Sequence, residues 1–265
     1  MLIDASKTES IPKELEQAII EYFKNMSQEM IAVIKSRTVT YESDVRIAIE
    51  DYLNPFASDS YDLYEQLKNI LYRHELVCYH STRVLDESLI RCNGLKTNSW
   101  ESYSTNMRDT YLRLGMEQEK IEEAILLIEN EYNRKYSRTE RKAQVCFFSG
   151  TSLLQTDSSA GYEQFCENLG GELARWALKE KRLDLYDCLR CNGKAYIVKF
   201  KLPFKNIPEH NVDSIIYQFI SYYAAKYFFD YNYEIEFDGT SSVDIPKEDI
   251  LEMIPYTIDR YYFNE

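Results

Sequence analysis

Val77-Cys78-Tyr79-His80-Ser81-Thr82-Arg83, followed closely by Leu89-Ile90-Arg91-Cys92-Asn93-Gly94-Leu95, is the stretch on which the reading of this chain turns. The compact apolar run at its start predicts a strand over 76–80 that ends on a histidine. Small hydroxyl residues, a helix and a Gly-Leu turn come next. A histidine at a strand end in an apolar setting is commonly a structural residue. The Ser-Thr, Ile and Gly-Leu companions distinguish His80 from His74 and His210, which lack such company and read as surface residues.

Upstream, Leu15, Ala18, Ile19, Tyr22 and Phe23 recur at helical spacing after Pro12, predicting an amphipathic helix over 12–36. Shorter helical patterns cover 41–53 and 59–73, separated by the loop chemistry of residues 54–60. Downstream, residues 104–140 read as one or two helices and 144–149 as a buried strand. Tyr162, Phe165 and Leu169 then give a helical stretch, with Gly170-Gly171-Glu172 opening a helix over 173–183. Asn192-Gly193 turns into a half-exposed strand over 194–202 that Pro203 ends. A long helix over 212–229, a strand over 233–237 and a short terminal helix opened by 245–251 complete the pattern. It is mixed α and β without repeated βαβ alternation, hence α+β.

With 265 residues, 45% hydrophobic and 28% charged, the chain has the composition of a soluble globular protein. Its length suits one large domain, or a smaller core with a helical extension. No apolar run approaches the ~20 residues that cross a bilayer, and the N-terminus lacks a secretion pattern. The expected location is therefore the cytoplasm, without membrane contact. The six cysteines read as reduced thiols. Cys188-Leu189-Arg190-Cys191 has redox or zinc spacing but no second Cys or His pair, so no metal is expected. A net charge of −13 opposes nonspecific attraction to nucleic-acid phosphate. Neither GxGxxG nor GxxxxGK[ST] occurs, so any nucleotide must be held another way.

The histidine stretch resembles the nucleotide-binding opening of the ADP-ribosyltransferases, in their His-Tyr-Glu branch: a strand, His, Gly and Ser/Thr, then Ile-x-x-x-Gly-Leu. The resemblance spans roughly residues 76 to 240. It implies NAD as co-substrate, no metal, and a split mixed or antiparallel β-sheet core. That domain would cover 76–265, with a helical extension over 1–75 and a helical insertion at about 101–142. Breaking the nicotinamide–ribose bond develops positive charge on the sugar, which a carboxylate beside the ribose stabilises most in the transition state. An aromatic against the nicotinamide ring and polar groups on the ribose complete the requirement.

On that resemblance His80 holds a ribose hydroxyl and the Ser81 backbone meets the nicotinamide amide, with serine standing where the branch usually has glycine. Thr82 and Arg83 join them. Phe148, Ser149 and Tyr162 correspond to the second strand and its Ser-x-x-x-Tyr helix, with Tyr162 stacking on nicotinamide and Tyr103 or Tyr111 as substitutes. Glu172 is the favoured catalytic acid, because two glycines before it permit close backbone approach. The branch also places its glutamate at a late strand, which nominates Glu234 and Glu236. By spacing alone Tyr162 fits a core face, and Glu172 fits the positive end of a helix.

Arg134, Lys135, Arg138, Arg141 and Lys142 form the one dense basic cluster in an acidic chain, a surface for a phosphate-bearing target or a solvated face paired with nearby glutamates. The leading expectation is a mono-ADP-ribosyltransferase modifying a macromolecule, with RNA or DNA slightly favoured over protein. The family implies a bacterial toxin or antiviral effector with an antitoxin or chaperone partner. The rivals are a non-catalytic nucleotide- or peptide-binding module on the same fold, an NAD glycohydrolase, and a metal-dependent nuclease.

Overall fold

A computed structural model describes residues 1–54, 60–97, 99–135, 143–149 and 166–256. Its first helices are α1 (Lys13–Asn25), α2 (Gln28–Lys35), α3 (Glu42–Leu53) and α4 (Tyr61–Leu71). The helix expected over 12–36 is thus two helices. Met26 and Ser27 adopt extended backbone, and the Ser27 hydroxyl accepts from the Met30 N–H at 3.1 Å, capping α2 as a new start.

Strand β1 (Leu2–Ile3) runs parallel to β2 (Glu75–Val84), pairing Leu2 with Glu75 and Ile3 with Leu76. Helices α5 (Ser88–Asn93), α6 (Trp100–Arg113) and α7 (Gln118–Lys135) follow, then β3 (Val145–Phe148). After these come α8 (Gly171–Leu178), α9 (Leu183–Cys191) and β4 (Lys194–Pro203). Helix α10 (Glu209–Ala224) ends in a π-helical turn over Ala225–Phe229, before β5 (Asp238–Ser241) and β6 (Ile250–Tyr256). The sheet order is β5-β3-β2-β4-β6, with β1 beside β2. The α+β class holds.

Three sequence expectations are corrected. The strand carrying His80 does not end there: it runs on through Val84, and His80 is its sixth residue. The segment expected as a strand over 233–237 alternates in burial as read, but two of its backbone donors go to side chains. The Glu234 N–H donates to a Glu42 carboxylate oxygen at 2.9 Å, and the Phe237 N–H to the Ser149 hydroxyl at 3.0 Å. The expected terminal helix is only a single turn, Lys247–Asp249, leading into β6. From Ile250 the backbone pairs antiparallel with β4, Ala195 opposite Tyr256 through Phe200 opposite Ile250, with an irregularity at Lys199/Phe200.

The chain divides into two compact units, each built from separate stretches of sequence. One contains Met1–Cys78, Phe148–Gly150 and Lys201–Thr240. In it α10 packs on α1, α3 and α4, and Leu15, Ile19, Phe23, Ile49, Leu67, Ile216 and Phe219 are fully buried. Lys68 on α4 is buried too, and its ammonium is met by Glu65 at 3.2 Å, Glu209 at 2.8 Å and Asp213 at 3.0 Å.

The other unit contains Tyr79–Phe147, Thr151–Phe200 and Ser241–Glu265. Its core lies among α6, α7, α8 and α9, around Tyr111, Ile121, Ile128, Leu173, Leu185, Tyr186 and Leu189. The expected Gly-Leu turn is present here. Gly94 follows α5 at φ +72°, where a Cβ would fall on the Ile245 carbonyl, and Leu95 and Ile245 exchange backbone hydrogen bonds at 2.9 Å. Among the described residues no helix is long and apolar enough to cross a membrane.

Candidate functional site

The second unit carries His80, half-buried on β2. Its Nδ1 lies 2.8 Å from the Cys146 carbonyl on β3. A carbonyl only accepts, so Nδ1 carries the hydrogen, and in the neutral ring Nε2 is left as an acceptor. Burial holds the imidazole pKa below its usual 6.5, while the bond to Cys146 works the other way. His80 is therefore a fixed, neutral ring at pH 7.

Strand alternation puts Thr82 on the His80 face, and Tyr79, Ser81 and Arg83 on the opposite one. Ser81 is buried, and its hydroxyl has no hydrogen-bond partner among the described residues. The Lys199 ammonium sits 5.5 Å from the centre of the Tyr79 ring. Arg83 is occupied structurally: its Nε donates to Cys166 O at 2.9 Å, and one Nη to Asn192 O at 3.1 Å and Gly193 O at 3.0 Å. That fork joins β2 to the segment before α8 and to the turn that opens β4.

The Gly-Gly-Glu step builds a second corner of the same unit. Gly170 and Gly171 sit at φ +81° and +62°, so the chain reverses into α8 and leaves Glu172 half-buried in its first turn. A Cβ on Gly170 would press on the Met107 sulfur. Asn168 holds the reversal from inside, its amide donating to Leu169 O at 2.7 Å and Gly171 O at 3.0 Å. Tyr103 on α6 holds it from the other side, donating to Gly170 O at 2.7 Å. The Trp100 ring stacks near Tyr103, with centroids 6.3 Å apart. An aromatic pair and a glycine turn therefore meet at the start of the helix whose first turn includes Glu172.

The other expected residues fall elsewhere. Tyr162, Arg138, Arg141 and Lys142 lie outside the described residues, as does the Lys135 side chain. Tyr111 is fully buried in the α6–α9 core, where no ligand ring could stack on it. Phe148 and Ser149 are buried in the first unit. Ser149 is engaged with Phe237 through both its N–H, at 2.9 Å to Phe237 O, and its hydroxyl. Glu234 and Glu236 belong to the first unit, the former exposed and the latter half-buried. Arg134 forks onto Glu131, a carboxylate only 3% exposed, at 2.7 and 3.1 Å. Arg134, taken alone, is thus paired with a neighbouring glutamate.

Among the described residues no group of three or more His, Cys, Asp or Glu could hold a metal ion. Cys188 and Cys191 are free thiols on α9, and burial, then the neighbouring Cys191, raises the Cys188 pKa. The two surface depressions that stand out lie on the exposed face of α1 and between α1 and α4, and His80 lines neither. Sequence reading missed Arg83 as a carbonyl clamp and Tyr103 as the support of Gly170. The Gly170-Gly171-Glu172 step marked the start of a helix but not what would hold it. No protein-family model matches this chain, and no curated protein or solved structure matches it either.

Proposed function

We propose that this chain is a mono-ADP-ribosyltransferase of ADP-ribosyltransferase-like fold, moving ADP-ribose from NAD to a macromolecular acceptor in the cytoplasm. The observation that carries the reading is His80, whose ring is fixed through Nδ1 by Cys146 O and kept neutral by burial. Nε2 then accepts from a ribose hydroxyl without reorganising, which orients the sugar before the bond to nicotinamide breaks. Thr82 shares that strand face and supplies a second polar group. Glu172, set in the first turn of α8 at its positive end, is the carboxylate that would face the charge developing on the ribose. Tyr103, the substitute for Tyr162, supplies the aromatic surface with Trp100 beside it.

Incubating the purified chain with NAD labelled in its adenylate half tests this. Transfer of label to a macromolecule is expected from the wild type, with loss of about 100-fold or more in Glu172→Gln, as for removal of a transition-state group. His80→Ala should lose activity mainly through a higher KM for NAD. Release of free ADP-ribose alone would identify a glycohydrolase. No turnover and no NAD binding would overturn the reading.

A further inference from the structure

Cys188 and Cys191 stand three residues apart at the end of α9, so they share a helix face. Both are free thiols, Cys191 exposed and Cys188 half-buried. Side chains at this spacing hold their Cβ atoms about 5–6 Å apart, whereas a disulfide needs roughly 3.5–4.5 Å. Closing a bond between them therefore takes a movement of about 1–2 Å. In mid-helix the hydrogen-bond ladder on both sides resists such a movement. Here Cys191 is the last helical residue, and Asn192 beyond it is already extended at φ −111° and ψ 163°. The movement falls on Asn192.

Asn192 is fastened in two ways. Its side-chain amide donates to the Cys188 carbonyl at 2.8 Å, and its own carbonyl, with that of Gly193, accepts from one Arg83 Nη at 3.1 and 3.0 Å. Gly193 precedes β4 at φ +74°, where a Cβ would lie 2.7 Å from the Val84 carbonyl of β2. The turn thus has little slack on its β4 side, and pulling Cys191 toward Cys188 draws Asn192 away from the guanidinium. Oxidation of the thiol pair and the Arg83 clamp oppose each other.

We propose that Cys188 and Cys191 are a thiol–disulfide modification site, and that closing this strained disulfide loosens the hold of Arg83 on the turn before β4. The site stands independently of the transferase reading. Its oxidant is a low-molecular-weight disulfide of the glutathione type. The exposed Cys191 gives up its proton, and its thiolate attacks one sulfur of that disulfide. The S–S bond breaks, and one glutathione leaves as a thiolate that takes up a proton. Burial, then the neighbouring Cys191, raises the Cys188 pKa. Once Cys191 is capped, its charge no longer opposes ionisation of Cys188. Cys188 then loses its proton and attacks the Cys191 sulfur, releasing the second glutathione. Two protein thiols are oxidised, and one disulfide is reduced to two thiols. Because the product is strained, an excess of reduced glutathione reopens it.

Equilibrating the full chain in glutathione buffers of graded poise, then denaturing it and mapping the thiols still open to alkylation, tests this. In the wild type Cys188 and Cys191 should lose reactivity together without retaining glutathione, and regain it in reducing buffer. Cys188→Ser should retain glutathione on Cys191. Arg83→Met should shift the oxidation equilibrium toward the disulfide by about fivefold, because the opposing clamp is gone. Three results would each overturn the proposal: both thiols still alkylated in the most oxidising buffer, glutathione kept on wild-type Cys191, or an equilibrium unchanged in folded Arg83→Met. Should that variant fail to fold, the Arg83 guanidinium N–H resonances of the labelled wild type decide. A shift on oxidation supports release of the clamp, and unmoved signals overturn it.

Discussion

The Tyr103 phenol donates to the Gly170 carbonyl at 2.7 Å and so ties α6 to the left-handed residue at the start of α8. Gly170 stands two residues before Glu172, so this bond fixes the level at which the carboxylate is presented. Tyr103→Phe keeps the ring and its stack on Trp100 while removing one part-buried hydrogen bond. It should lower stability by about 1 kcal/mol in urea unfolding. On the transferase reading, its transfer rate should fall by more than that loss of folded protein explains.

Arg83 makes a different kind of tie, three carbonyls from two separate turns on one guanidinium. Arg83→Met should cost about 3 kcal/mol, because the carbonyls lose a charged donor together. Arg83→Lys should recover little of it, since an ammonium lacks the planar fork. Equilibrium denaturation of both variants separates this from an NAD-binding role, in which Lys would restore function but not change stability.

In the first unit Lys68 is the hub of an ion cluster with Glu65, Glu209 and Asp213. Burial works against its charge, yet the three carboxylates raise its pKa above the usual lysine value of 10.5, and Lys68 in turn lowers that of Glu209 from 4.5. The raised lysine contributes stability that is complete below pH 10.5 and lost as pH rises through its folded value. The depressed carboxylate contributes stability that is complete above pH 4.5 and lost as pH falls through its folded value. Lys68→Met should therefore remove about 2 kcal/mol on the plateau between those limits, and flatten both shoulders of a stability–pH curve. Two of the carboxylates reach solvent and can rehydrate, which keeps the loss below that of a fully enclosed pair.

His80 should titrate below its ordinary 6.5 in an NMR pH series, because desolvation of the half-buried ring resists protonation. The sign follows: its contribution is complete above pH 6.5 and declines as pH falls through the folded value. His80→Gln retains a donor for Cys146 O and should remove that acid-side decline. A His80 midpoint at or above 6.5 would contradict the desolvated, neutral ring.

Much of the fold was legible because burial wrote it locally. The apolar periods of α3, α4 and α10, and the alternation of β4, each predicted an element of the right type near the right place. Pairing was not legible, because it depends on distant chain. Ile250–Tyr256 reads as the continuation of a helix opened by Lys247-Glu248-Asp249, and becomes a strand because β4 offers it a free edge. Tyr233–Phe237 alternates like a strand, but Glu42 and Ser149 take its donors. At the candidate site, the sequence singled out His80 and the Gly170-Gly171-Glu172 step by their chemistry. It could not show that Arg83 is consumed by carbonyls, or that Tyr111 and Ser149 are interior, since neighbouring residue types do not reveal which face is covered.

The account rests on His80 Nε2 accepting from NAD, and the nitrogen resonances of that imidazole measure this most directly. Titration of the labelled chain with NAD should shift Nε2 of His80 while Nδ1 keeps its bonded hydrogen, and ADP-ribose should reproduce the shift where nicotinamide alone does not. An Nε2 signal unmoved at saturating NAD, or NAD binding that persists unchanged in His80→Ala, would contradict it.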